Sequence, residues 1–96
     1  MMVLVSYDVS TKTADGVYRL RKISEICLDY GIRVQNSVYE CNIDPAQWES
    51  LKDKLLSKYK SEEDSLRFYF LGSNWKRRVE HFGKSTIDDI EEPMIV

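Results

Sequence analysis

The order in which the apolar period changes constrains this chain most. Residues 2–10 (Met-Val-Leu-Val-Ser-Tyr-Asp-Val-Ser) are rich in β-branched and aromatic side chains and lack Gly and Pro, so they read as a strand. A period of two puts Val3, Val5, Tyr7 and Val9 on one face and Leu4, Ser6, Asp8 and Ser10 on the other. A polar connection, Thr11 to Gly16, follows. Gly16, Leu20, Ile23, Cys27 and Tyr30 then recur at helical spacing. This stripe predicts a helix over about residues 16–30, capped by Asp15 and widened by Val17 and Leu28. Gly31 stands where a left-handed C-cap is expected.

Residues 32–43 read as extended, with Val34 and Val38 in one row and Tyr39, Cys41 and Ile43 in the other. The polar Gln35-Asn36-Ser37 between them predicts a kink or tight turn that splits the segment into two strands. The next helix has the strongest local signal in the chain. Asp44 is an N-cap, Pro45 is at N1 and Gln47 is placed for a capping box. Ile43 and Trp48 are spaced for a hydrophobic staple. The stripe Trp48, Leu51, Leu55 and Tyr59 carries the helix to about Lys60, before the charged loop Ser61-Glu62-Glu63-Asp64. From Ser65 to Leu71 the alternation returns, with Leu66, Phe68 and Phe70 opposite Arg67, Tyr69 and Leu71. Gly72-Ser73-Asn74 turns the chain. Trp75-Lys76-Arg77-Arg78 is aromatic and basic, and Val79-Glu80-His81-Phe82 reads as a short strand.

The resulting order, β-α-β-β-α-β with a short extra C-terminal strand, predicts an α+β ferredoxin-like fold with both helices on one face of an antiparallel sheet. Such a sheet has an open face that must be polar or meet a partner. Leu4 and the aromatic strand residues argue against full solvation, so the expectation is a homodimer joined through the sheet faces. Residues 1–83 form the ferredoxin-like domain. Residues 84–96 form an acidic linker and a C-terminal strand, Pro93-Met94-Ile95-Val96, that can pack on the partner subunit.

At 96 residues the chain makes one domain. Its net charge of −2 hides an asymmetry, because Asp88, Asp89, Glu91 and Glu92 cluster near the end while residues 1–87 carry +2. A mildly basic body permits a polyanionic partner without demanding one. Cys27 and Cys41 lack metal-ligand spacing and fall within apolar patterns. They read as buried thiols, which suits the cytoplasm. No segment is long and apolar enough for a membrane span, and no basic leader precedes the first strand.

Asp8 has two readings. It is a turn residue just past the sheet, or it is a carboxylate held for chemistry. One carboxylate is a sparse metal site, but a two-fold dimer meeting on the open face brings two. Arg19, Arg21, Lys22 and Arg33 read as a solvated face when taken singly. Lys76, Arg77 and Arg78 beside Trp75 fit phosphate binding with aromatic support, or a plain exposed loop. His81 has no partner at triad or ligand spacing. The chain has no phosphate loop, zinc motif or nucleophile elbow, so an enzyme built from it depends on metal, a dimer or both.

Several of these stretches together resemble the CRISPR-associated protein 2 family. They are Tyr7-Asp8 closing the first strand, Arg19-Leu20-Arg21-Lys22, the run from Tyr30 to Glu40, and Ser65 to Gly72. The resemblance covers about residues 2–83 and is most specific between Gly31 and Glu40. It implies a ferredoxin-like homodimer with a divalent metal, Mg²⁺ or another such as Mn²⁺, between the two copies of Asp8. It further implies a metal-dependent endonuclease on double-stranded DNA or single-stranded RNA within the CRISPR adaptation machinery. Arg19, Arg21, Arg33 and Tyr39 are then the substrate contacts, with Tyr7, Ser10 and Thr11 near the metal. Tyr39 stands where many members have Phe. The alternative is a non-catalytic scaffold that holds duplex DNA, through Lys76-Arg77-Arg78 among others, for a partner integrase during spacer acquisition. A ferredoxin-like regulatory or small-ligand module with no nucleic-acid role is a third reading, and only fold analogy supports it.

Overall fold

Val3, Val5 and Tyr7 are all buried, as their alternation predicts, and this row is the floor of the core. They lie on β1 (Met2–Val9) in a computed structural model that describes residues 1–83. The order continues α1 (Ala14–Leu28), β2 (Ile32–Gln35), β3 (Val38–Asn42), α2 (Pro45–Leu56), β4 (Asp64–Phe70) and a one-turn helix, α3 (Trp75–Arg78). The sheet order is β2-β3-β1-β4, with every neighbouring pair antiparallel. Ile23 and Cys27 of α1, Leu51 and Leu55 of α2, and Tyr39 and Cys41 of β3 close over the β1 row. Both helices therefore cover one face, as the ferredoxin-like arrangement requires. The turn at Asn36-Ser37 splits the extended segment into β2 and β3, and the ladder shifts register between Arg33 and Gln35.

α2 begins as its sequence predicts. The Asp44 side chain accepts from the Gln47 N–H at 2.7 Å, and the Gln47 side chain accepts from the Asp44 N–H at 3.0 Å. The helix stops at Leu56, sooner than expected, and turns carry the chain on toward β4. Tyr59 still packs on the core from that turn.

Other expectations are corrected. The cap of α1 is Thr13, whose hydroxyl accepts from the Gly16 N–H at 3.1 Å, because the helix starts two residues earlier than its apolar stripe. Val17 and Leu28 are exposed rather than part of the buried face. Gly31 does not adopt a left-handed conformation. It is needed because a Cβ there would stand 2.2 Å from the Glu40 carbonyl oxygen and 2.7 Å from the Cys41 sulfur. Val79 to Phe82 form no strand, and Phe82 is exposed. The acidic linker and C-terminal strand expected over 84–96 lie outside the described residues.

Cys27 and Cys41 are free and buried, and burial pushes their thiols up to about 12 and about 11. They remain protonated and inert at neutral pH. No helix among the described residues is long and apolar enough to cross a membrane.

Candidate functional site

The C-terminal end of β1 carries the site. Asp8 follows Ser6 on the open face, pairs across the ladder with Ser65 of β4, and is exposed. Among the described residues its carboxylate accepts no hydrogen bond. It stands in an open depression of about 450 Å³ shared with Ser10, Glu62, Glu63 and Ser65. Ser10 and Thr11 are exposed, and the Ser10 hydroxyl lies 3.4 Å from the Lys12 N–H. Gly16 lets this loop sit tightly on α1, since a Cβ there would stand 1.9 Å from the Ser10 carbonyl oxygen.

Directly beneath lies a buried polar network that the sequence reading missed. Asp64 sits in the row of Leu66, Phe68 and Phe70, so its side chain points into the helix face and is fully buried. Reading residues 61–64 as one charged loop hid it, although starting the strand's alternation one residue earlier would have found it. The Tyr7 hydroxyl donates to Asp64 Oδ2 at 2.5 Å. Arg19 donates through Nε at 2.9 Å and through Nη2 at 3.1 Å, and reaches Glu63 at 3.1 Å as well. The Lys60 N–H completes the set at 2.9 Å. Burial pushes the Asp64 carboxyl up, but the hydrogen bonds from Arg19, Tyr7 and Lys60 outweigh it and hold the group below the ordinary carboxylate range. Burial first, and then the bond to Asp64, pushes the Tyr7 phenol well above its ordinary value.

The other expected contacts are spread across the molecule. Arg19 is committed to this network, its side chain only 10% exposed. Tyr39 is 1% exposed and belongs to the core, so its ring offers no surface for a base. Arg33 lies 5.7 Å over that ring, half-buried, and donates to the Ser24 hydroxyl. Arg21 is exposed on α1 beside the Tyr18 ring. Lys76, Arg77 and Arg78 are exposed on α3, with Lys76 over the Trp75 ring and Arg78 donating to the Leu71 carbonyl at 2.8 Å. The Leu71 N–H bonds to Met2, at the start of β1. Asp8 lies six residue steps along β1 from Met2, about 20 Å at strand rise. The basic turn and Asp8 therefore occupy opposite ends of the sheet.

A hard divalent cation takes oxygen ligands, often one or two carboxylates with waters and phosphate oxygens completing the shell. Among the described residues no group of three or more His, Cys, Asp or Glu is arranged to hold a metal. One chain thus offers the unengaged Asp8 carboxylate at this strand end, with Glu62 of the neighbouring loop in the same depression. That donor set fits Mg²⁺ or Mn²⁺ when a second copy supplies its own Asp8.

A family model described as CRISPR associated protein Cas2 matches residues 1–79. The chain is 56% identical over 96 residues, covering all of both sequences, to a protein of Chlorobaculum tepidum named CRISPR-associated endoribonuclease Cas2. It is 50% identical over 95 residues, or 99% of each chain, to one of Halalkalibacterium halodurans named CRISPR-associated endonuclease Cas2. Among solved structures, Streptococcus pyogenes Cas2 at pH 6.5 superposes with a TM-score of 0.79 and 53% identity, over 86% of this chain and 100% of that one.

Proposed function

The chain belongs to the CRISPR-associated Cas2 family, and from that premise we propose that it is a divalent-metal-dependent phosphodiesterase that acts on nucleic acid as a homodimer. The relatives' names, endoribonuclease and endonuclease, support a nuclease role in CRISPR. The observation that carries the finer reading is Asp8, an exposed carboxylate with no hydrogen-bond partner among the described residues, at the end of a strand on the sheet's open face.

Asp8 from each copy would hold one Mg²⁺ or Mn²⁺ at the two-fold axis, with the Ser10 hydroxyl nearby. A cation there supplies charge neutralisation at a phosphate and a more acidic water. Asp8, Glu62 and Glu63 would otherwise repel a phosphodiester, so substrate approach depends on countercharge at this point. Arg21 and Arg33 would take backbone phosphates, contacts that orient a strand without reading its sequence. Arg19 and Tyr39 serve from inside, one ordering the strand end and the other supporting Arg33.

A second reading rests on the distance between Asp8 and the basic turn. An exposed Lys76-Arg77-Arg78 far from the acidic depression suits a surface that carries duplex DNA for a partner integrase, with hydrolysis secondary. The test pairs purified protein with duplex DNA and with single-stranded RNA, with and without Mg²⁺, in wild type and Asp8→Ala. The expected result is Mg²⁺-dependent cleavage that falls by about 100-fold or more in the variant, the scale of losing one group that stabilises developing charge. Asp8→Ala should change stability by no more than about 0.5 kcal/mol, since the side chain is exposed and has no hydrogen-bond partner among the described residues. A folded variant that cuts as fast as wild type overturns the catalytic reading. Cleavage lost with integration intact would favour the scaffold.

A further inference from the structure

With no side-chain partner of its own among the described residues, the Asp8 carboxylate is placed by its backbone alone. One residue brackets that backbone. The main chain of Asp64 pairs with Val9, directly after Asp8. The side chain of Asp64 holds the Tyr7 hydroxyl, directly before it. Arg19 grips both oxygens of Asp64 from α1, and the Lys60 N–H fixes Oδ2 from the preceding turn. Strand end, helix and loop therefore meet at a single carboxylate with no spare freedom. A buried ion pair gains little stability over apolar packing in the same space. Stability alone therefore does not account for several donors converging on Asp64 beside an otherwise unsupported Asp8.

We propose that Asp64 is a positioning residue for Asp8, fixing through Tyr7 and Val9 the strand end from which the Asp8 carboxylate projects. Its effect on cation affinity rests on the reading of Asp8 as a ligand. Its effect on the order of the strand end does not.

The test uses full-length Tyr7→Phe, which deletes one hydroxyl and keeps the ring, and Asp64→Asn. Leu55→Val, a core change on α2, serves as the control for general destabilisation. Amide hydrogen exchange is read without metal, and Mn²⁺ affinity by calorimetry. Exchange at residues 8–10 should rise in Tyr7→Phe more than elsewhere in the chain, and more still in Asp64→Asn. Mn²⁺ affinity should fall by about 10-fold in Tyr7→Phe, as when other supporting partners of a metal ligand are removed. Leu55→Val should lower the melting temperature without either change. Unaltered exchange at residues 8–10 in a folded Tyr7→Phe protein overturns the proposal, as does an equal fall in Mn²⁺ affinity in Leu55→Val. If wild type and Asp8→Ala bind Mn²⁺ equally, the reading of Asp8 fails instead, and the exchange comparison alone decides the role of Asp64.

Discussion

Asp64 shows how one side chain links folding to pH. Its carboxyl is held below the ordinary range in the folded protein, so unfolding raises its affinity for protons. The stability it contributes is complete above its unfolded value, about 3.9, and is lost as the pH falls through the folded value. Tyr7 has the opposite sign. Its phenol is held above its ordinary value, so its contribution is complete below about pH 10 and is lost as the pH rises through the folded value. Urea unfolding of the metal-free protein should therefore show a midpoint that declines on the acid side below about pH 4. Asp64→Asn should start lower at neutral pH and decline less there. Acid limbs that run parallel in the two proteins would show that Asp64 is not the group responsible.

α1 shows what a small residue can decide. Gly16 lies on the helix's apolar stripe, yet its importance is contact with the Ser10 carbonyl, where a Cβ would come to 1.9 Å. Backbone cannot yield there as a flexible side chain would, so Gly16→Ala must push the loop after Asp8 away from the helix. Overpacking of this kind costs about 1–3 kcal/mol. Val17→Ala, one residue on and exposed, should stay within about 0.5 kcal/mol. Equal urea midpoints for the two variants would contradict the contact. These elements also mark the limits of sequence reading. Alternation and helical spacing made β1, both long helices and β4 legible, and the Asp44-Gln47 box was readable to the hydrogen bond. Thr13 was overlooked because the cap precedes the apolar stripe. Tight approaches at Gly16 and Gly31 depend on what the chain meets in space, which no local pattern records. Asp8 was legible because a carboxylate on a strand row is anomalous. Asp64 was not, because its neighbours Glu62 and Glu63 made it look like solvent-facing charge. Arg19 then looked like a surface cation for the same reason, its partner being hidden.

The molecule as a whole is one-sided. Helices cover the Val3, Val5 and Tyr7 row, while Leu4 and Ser6 stand half-buried on the other face. Leu4 lies between Glu40 and Tyr69, and Ser6 between Val38 and Arg67. Arg67 leans along the face to the Tyr69 hydroxyl at 3.0 Å. Burial already pushes the Glu40 carboxyl up. A second copy laid on this face would cover Leu4, Val38 and Tyr69, and the proposed site requires the two β1 strands to meet at their Asp8 ends. The proposed unit of function is then the pair of chains, since each contributes half of the cation's carboxylates. Titration of metal-free protein with Mn²⁺, with the mass of the complex measured in the same solution, tests this most directly. Two Asp8 copies sharing a cation require one ion per two chains on a dimer, with that binding lost in Asp8→Ala. One ion per chain, or unchanged binding in a dimeric Asp8→Ala protein, would contradict it.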